Sequence, residues 1–189
     1  MNKADGEKWW GVWLLALLLV AAPARADSPS FRVEDVQTRL EEGVYVLDAR
    51  LKLHLSRDMR GALESGLPLV FKVRIEVIRP RRFLWDETLA TITQRYELQL
   101  HPLSGQYVLR HLNTGIQQTF RSLDAALAQL GNLRDIPVID AKLLAPDVTY
   151  RGRIRVVLDD DALPMPLKVR AYTRSGWRVQ APWTTWSLP

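Results

Sequence analysis

The chain has 189 residues, 47% of them hydrophobic and 25% charged, with a formal net charge of +5 and no cysteine. That length suits one domain able to bury most of its apolar surface, while the missing cysteines exclude disulfide staples, a lipid-modified N-terminal cysteine and a thiolate zinc site. The mild basicity is compatible with an anionic partner, although arginines scattered over solvent faces give the same total.

Lys3 and Lys8 precede an apolar run from Val12 to Ala22 that Pro23 ends, and Ala24-Arg25-Ala26 places small residues where a signal peptidase accommodates them. The pattern predicts a cleavable export signal over residues 1–26, cleaved near Ala26-Asp27, and a periplasmic or secreted domain over residues 27–189. A spanning helix needs roughly 20 apolar residues, more than this run supplies, so the exported chain is not expected to be an integral membrane protein.

Beyond the leader the side chains follow a two-residue rhythm. A strand is expected at Phe31–Leu40, then a long one at Val44–Leu55, where Tyr45, Leu47, Ala49, Leu51, Leu53 and Leu55 oppose Asp48, Arg50, Lys52 and His54. Ser56 can cap a short helix carrying Met59, Ala62 and Leu63, closed by Gly66 before Pro68. The rhythm returns at Leu67–Val77 and Leu89–Leu100. The turn His101-Pro102-Leu103-Ser104-Gly105 then leads into Gln106–Leu112, and Asn113-Thr114-Gly115 into Ile116–Phe120, which makes an antiparallel meander. Ser122 caps a second helix with Leu123, Ala126, Leu127 and Leu130 on one side and Gly131 as a left-handed stop. Further strands are expected at Val148–Leu158, Leu167–Tyr172 and Trp177–Gln180.

Roughly eight or nine strands with two short helices predict an all-β, mainly antiparallel β-sandwich in one domain, with a small closed β-barrel as the alternative. A transmembrane barrel shares the alternation, but two interposed amphipathic helices do not fit it, nor does a chain ending Ser187-Leu188-Pro189 without a terminal aromatic.

Catalytic and cofactor signatures are missing. No Gly-x-Ser-x-Gly elbow occurs, and His54, His101 and His111 read as solvated or surface-paired imidazoles. No His-x-x-x-His occurs, no glycine-rich phosphate loop follows a strand, and no cofactor or metal is expected. Asp159-Asp160-Asp161 lacks the ordered spacing of a calcium loop and reads as a solvated turn. Nucleic acid is not expected as a partner, because the positive charge forms no long stripe.

Two groups are candidates for partner or ligand contact. Arg81 and Arg82, in the run Arg79-Pro80-Arg81-Arg82, adjoin Phe83-Leu84-Trp85, combining anion-binding guanidinia with aromatics; a charged turn is the plainer reading. Trp183 and Trp186 lie in Ala181-Pro182-Trp183-Thr184-Thr185-Trp186, past the last expected strand. They either close one end of the sandwich, which is preferred because burying such a ring is worth roughly 2–3 kcal/mol, or stay exposed as a partner's anchor.

The order of landmarks also carries a resemblance. Trp85-Asp86, Tyr96-Glu97-Leu98, Leu103-Ser104-Gly105-Gln106-Tyr107-Val108, Phe120-Arg121-Ser122-Leu123 with Ala125-Ala126-Leu127, Leu163-Pro164-Met165-Pro166-Leu167, Trp177 and Trp186 together resemble the proteobacterial domain-of-unknown-function family numbered 4390. The resemblance implies an exported protein of Gram-negative bacteria with no established activity and no assigned catalytic residues. It also implies an accessory role beside a membrane sensor histidine kinase of the nitrogen-regulation type, near whose genes family genes are often found. Asp159–Asp161 and the Arg81-Arg82 pair are not parts of that family pattern. The reading is a non-enzymatic binding or protein-interaction module whose partner is a membrane-bound sensor kinase or another envelope protein. A carrier or sensor of an apolar, lipid-like ligand is the alternative.

Overall fold

The computed structural model describes residues 29–163, Trp177 and residues 179–188. Its strands are β1 (Ser30–Glu41), β2 (Val44–His54), β3 (Leu69–Arg79), β4 (Glu87–His101), β5 (Gln106–His111), β6 (Gln117–Phe120), β7 (Asn132–Asp140), β8 (Arg151–Leu158) and β9 (Thr184–Ser187). Helix α1 (Arg57–Glu64) joins β2 to β3, and α2 (Leu123–Leu130) joins β6 to β7. The strands form two antiparallel sheets, one of three strands in the order β1-β2-β7 and one of six in the order β6-β5-β4-β3-β8-β9. Neither sheet closes on itself or on the other, so the architecture is a sandwich and not the closed barrel held as the alternative.

Strand β3 shows why the alternation produces this packing. Phe71, Val73, Ile75 and Val77 are fully buried, and the register sets Ile75 between Ile92 on β4 and Ile154 on β8. From the smaller sheet, Leu47, Ala49, Leu51 and Leu53 of β2 enter the same core. Each such aliphatic or aromatic side chain contributes roughly 1.5–3 kcal/mol on burial. The helices are held as their caps require: Ser56 Oγ accepts from Met59 N and Ser122 Oγ from Ala125 N. Gly66 sits at φ +77°, the left-handed stop expected after α1.

Gly131 does not do the same for α2. Its φ is −75° and right-handed, and a glycine stands there for another reason: a Cβ would lie 2.3 Å from the carbonyl oxygen of Leu51. Two strands also depart from expectation. Strand β7 went unread because Asp135, at φ +53°, and Pro137 break the two-residue rhythm, although Leu133, Ile136, Val138 and Ile139 are buried. Strand β9 runs through Thr184–Ser187, so the tryptophan-bearing tail is itself a strand and not a segment past the last one. Trp177 and Val179 are buried, but the described part of the expected strand Trp177–Gln180 makes one bridge, Gln180 to Val157. The expected strand Leu167–Tyr172 lies outside the described residues.

The acidic run is a further correction. Asp159 is 2% exposed, not solvated, and its carboxylate meets Lys72 Nζ at 2.7 Å and Arg95 at 2.9 Å while its N–H donates to Val70 O. It ties the end of β8 to β3 and β4.

Candidate functional site

The six-stranded sheet has twice as many strands as the one covering it, and the overhang leaves a cleft. Strand β7 ends the small sheet over β4, and α2 packs against β5 and β6 beyond it. Between them opens a cleft of about 570 Å³. Its floor is the inward side of β4 and β5, Gln94, Tyr96, Leu109 and His111; its walls include Asn113, Gln118, Gln129, Asn132, Arg134 and Pro137.

His111 is the centre of this floor. Its ring stacks on Tyr96 with centroids 4.6 Å apart and planes 12° from parallel. Nε2 lies 2.7 Å from Gln94 Oε1 and Nδ1 2.9 Å from Thr114 Oγ1. A carbonyl oxygen accepts only, so Nε2–H donates to Gln94, and in the neutral ring Nδ1 can then accept from the Thr114 hydroxyl. Burial against Tyr96 pushes the His111 pKa below its ordinary 6.5 and pushes the Tyr96 phenol up. His111 is therefore half-buried and paired with Gln94 and Thr114, the paired form of the solvated or surface-paired imidazole expected. The signal was present in its parity, since Tyr107, Leu109 and His111 alternate together.

The low His111 pKa has a consequence for stability. Below pH 6.5 the unfolded chain binds a proton that the folded chain refuses, so stability falls as pH drops from that value and levels off beneath the folded pKa. His111→Gln, which keeps hydrogen-bonding capacity without titrating, should flatten this part of the curve. Urea unfolding followed at several pH values measures it.

At one end of the cleft Arg39 gathers the acids of the smaller sheet. It bonds Asp48 at 2.7 Å and pairs with Asp135 and Glu41. Burial raises the Asp48 pKa, but the Asp135 N–H and the guanidinia of Arg39 and Arg134 outweigh it and hold the carboxyl below its ordinary range. This network pins the bulge of β7 that forms the cleft wall.

The residues singled out from sequence lie elsewhere. Arg81, Arg82 and Trp85 occupy the turn between β3 and β4, where Arg79 and Arg81 share the carboxylate of Glu87, Arg81 at 2.6 Å. Hydrogen bonding by Arg81, with Arg79 beside it, lowers the Glu87 pKa. Arg82 lies 5.5 Å from the centroid of Phe83. Trp183 lies on the outer face of the large sheet with the guanidinia of Arg153 and Arg155 at 4.7 and 4.4 Å from its ring centroid. Trp186, opposite Gly152, turns to the inner face and packs on the core. The structure does not bring the two groups into one site.

Trp186 leaves no room beneath it. A Cβ on Gly152 would stand 2.1 Å from the indole ring. Gly152→Ala should cost about 1–3 kcal/mol, the usual range for overpacking, because the four-residue β9 can be displaced from the sheet edge. Trp186→Ala added to it should recover part of the loss, a coupling that a double-mutant cycle by chemical denaturation reads directly.

Among the described residues no three His, Asp or Glu side chains converge to hold a metal, and no helix is long and apolar enough to cross a membrane. A family model described as Domain of unknown function (DUF4390) matches residues 28–187 of the 189. The chain belongs to that family. No curated protein and no solved structure matches it. The DUF4390 match spans both sheets and both sides of the cleft, so the cleft and the β3–β4 turn both lie within the family domain.

Proposed function

We propose that this DUF4390 protein is an exported, non-enzymatic binding module of the cell envelope, and that the inter-sheet cleft receives an extended segment of an envelope protein partner, such as the extracytoplasmic part of a membrane sensor kinase. The carrying observation is the lining: Gln94, Gln118, Gln129 and Asn132 present carboxamides around a stacked tyrosine and histidine, while the Asn113 carboxamide is bonded to the backbone of Thr93 and Arg95. Carboxamides donate and accept alike, as a peptide backbone does, and they carry no charge that a neutral segment must match. Strand β7 supports this, since β2 pairs one side of it and its other side ends the sheet along the cleft wall. Asp135 and Pro137 interrupt that edge, leaving side-chain amides to supply most of the contacts.

The same lining favours binding over catalysis. His111 has a hydroxyl on one nitrogen, but Gln94, a neutral amide, occupies the place where a carboxylate would steady an imidazolium. Leu109, Ile116, Leu133, Ile136 and Pro137 in the same lining would suit the apolar-ligand alternative, but an apolar ligand would leave the carboxamides beside them unmatched, whereas a peptide segment uses both. Gln118 and Gln129 are exposed at the rim, so tryptophan at either fills the cleft without disturbing the core. Pull-down from detergent-solubilised envelope membranes should recover a partner with the native chain and lose it with Gln118→Trp or Gln129→Trp. Recovery of no protein, or of the same protein at the same yield with both variants, would overturn the reading.

A further inference from the structure

The turn between β3 and β4 is built differently from every other connection described. Phe83, Leu84 and Trp85 are consecutive and 88%, 69% and 78% exposed, so three large apolar side chains stand in water at one point. Isolated exposed apolar residues need no explanation, but three in a row at the tip of the two central hairpin strands form a patch that costs free energy unless something covers it. Around this tip the charge is positive. Arg79 and Arg81 converge on the single carboxylate of Glu87, and Arg82 makes no ion pair among the described residues. Arg151, opposite Ile78 in the register, adds a further exposed guanidinium at the same end of the sheet. Against Asp86 and Glu87 these four arginines leave the tip cationic.

We infer that residues 80–86 form a membrane-seating tip, in which Phe83, Leu84 and Trp85 enter the interface of an anionic phospholipid bilayer while Arg79, Arg81, Arg82 and Arg151 contact the lipid phosphates. The occupant follows from shape and charge together. None of the clefts described is lined by residues 80–86, so the exposed side chains of the tip suit a fluid interface that closes around them. Tryptophan prefers the headgroup level, arginine binds phosphate bidentately there, and each basic residue near an anionic surface adds to the attraction. The antiparallel ladder of eleven-residue β3 and fifteen-residue β4 runs to the pair Arg79–Glu87 and so fixes both ends of the turn. This site is separate from the cleft, and either can fail without the other.

The test uses the chain as recovered after export, mixed with vesicles of phosphatidylcholine alone or with phosphatidylglycerol. Expected is binding at least tenfold stronger to the anionic vesicles, weakening with added salt, with a blue-shifted tryptophan signal quenched by brominated lipid chains. That quenching should vanish in Trp85→Phe, and binding should fall at least tenfold in Phe83→Ser/Leu84→Ser/Trp85→Ser and in Arg81→Glu/Arg82→Glu. All these positions are exposed, and an unchanged denaturation midpoint confirms that the variants fold. The inference is overturned by equal binding to both vesicle types, by quenching that persists in Trp85→Phe, or by binding that the serine variant retains. It is equally overturned if Trp85 becomes shielded only when a membrane protein is present in the bilayer.

Discussion

Glu76→Ala should lower the free energy of unfolding by about 3 kcal/mol, near the low end of what breaking a buried ion pair costs. Glu76 lies on the outer face of β3, yet is only 2% exposed. Its two oxygens are divided between two strands, Oε1 to Arg74 Nε at 2.6 Å and Oε2 to Arg153 Nε at 2.6 Å. Arg153 is held in turn beneath Trp183, beside Arg155. Removing the carboxylate leaves Arg74 and Arg153 without the counter-charge that Glu76 supplies, with Arg155 beside Arg153 at the Trp183 ring. Arg74 and Arg153 keep partial access to water, at 45% and 28% exposure, which is why the cost lies near the lower bound of the range. Glu76→Gln should cost less, about 1–2 kcal/mol, because the shape and one hydrogen bond survive. Glu76→Leu combined with Arg153→Met should recover much of the loss, as replacing a buried pair with apolar groups often does. Urea titrations of the four proteins measure this; a loss below about 1 kcal/mol for Glu76→Ala would mean that the pair is solvated after all.

That network also shows where the sequence was legible and where it was not. The alternation in β2, β3, β4, β5, β6 and β8 is strict enough that each strand is found within a few residues of its place, because one face is buried and a slip would expose the whole set. The same alternation puts Glu76 on the charged face of β3, and the run beginning at Asp159 reads as a solvated turn, yet both carboxylates are buried. Parity tells which face a residue occupies, not whether that face is covered, and covering depends on which distant segment returns over it. Trp183 lies across β8 from the end of the chain, and no local rule predicts its meeting with Arg153 and Arg155. Strand β7 hid for a different reason. Its buried residues Leu133, Ile136 and Val138 are spaced by three and then two, as a bulge at Asp135 requires, and a bulge looks like an interruption when no partner strand is known.

The cleft was the least legible feature, since it results from a mismatch in strand number. Three strands against six is a fact of pairing order, and pairing order is set by contacts far apart in sequence. Its residues come from β4, β5, the turn after β5, β6, α2 and β7, and none is chemically conspicuous alone. The β3–β4 turn is the opposite case. Arg81, Arg82 and Trp85 attract notice in the sequence because they are local, and the structure adds what the sequence lacked, namely that Phe83, Leu84 and Trp85 all face water.

Gly131→Ala should be the more damaging of the glycine substitutions, with an expected loss of about 3 kcal/mol or more. At φ −75° alanine suits the backbone, and replacing a glycine in such a conformation ordinarily stabilises a protein by about 0.4–1 kcal/mol through the unfolded state. Here packing reverses the sign. The new methyl would stand 2.3 Å from Leu51 O and 3.3 Å from Leu51 C, so it meets the main chain of β2, the central strand of the smaller sheet. Overpacking against a side chain costs about 1–3 kcal/mol because the side chain can turn aside. A β2 carbonyl cannot turn aside without breaking the bond by which Leu51 N donates to Gly131 O at 2.7 Å, the link that carries α2 into β7. Relief by separation would therefore shift the start of β7, and with it Gln129 and Asn132 on the cleft. Gly131→Ala should both lower the denaturation midpoint at unchanged m-value and weaken partner capture at temperatures where the variant is still folded. A midpoint equal to or above that of the native chain would show that β2 and α2 are farther apart than the packing described.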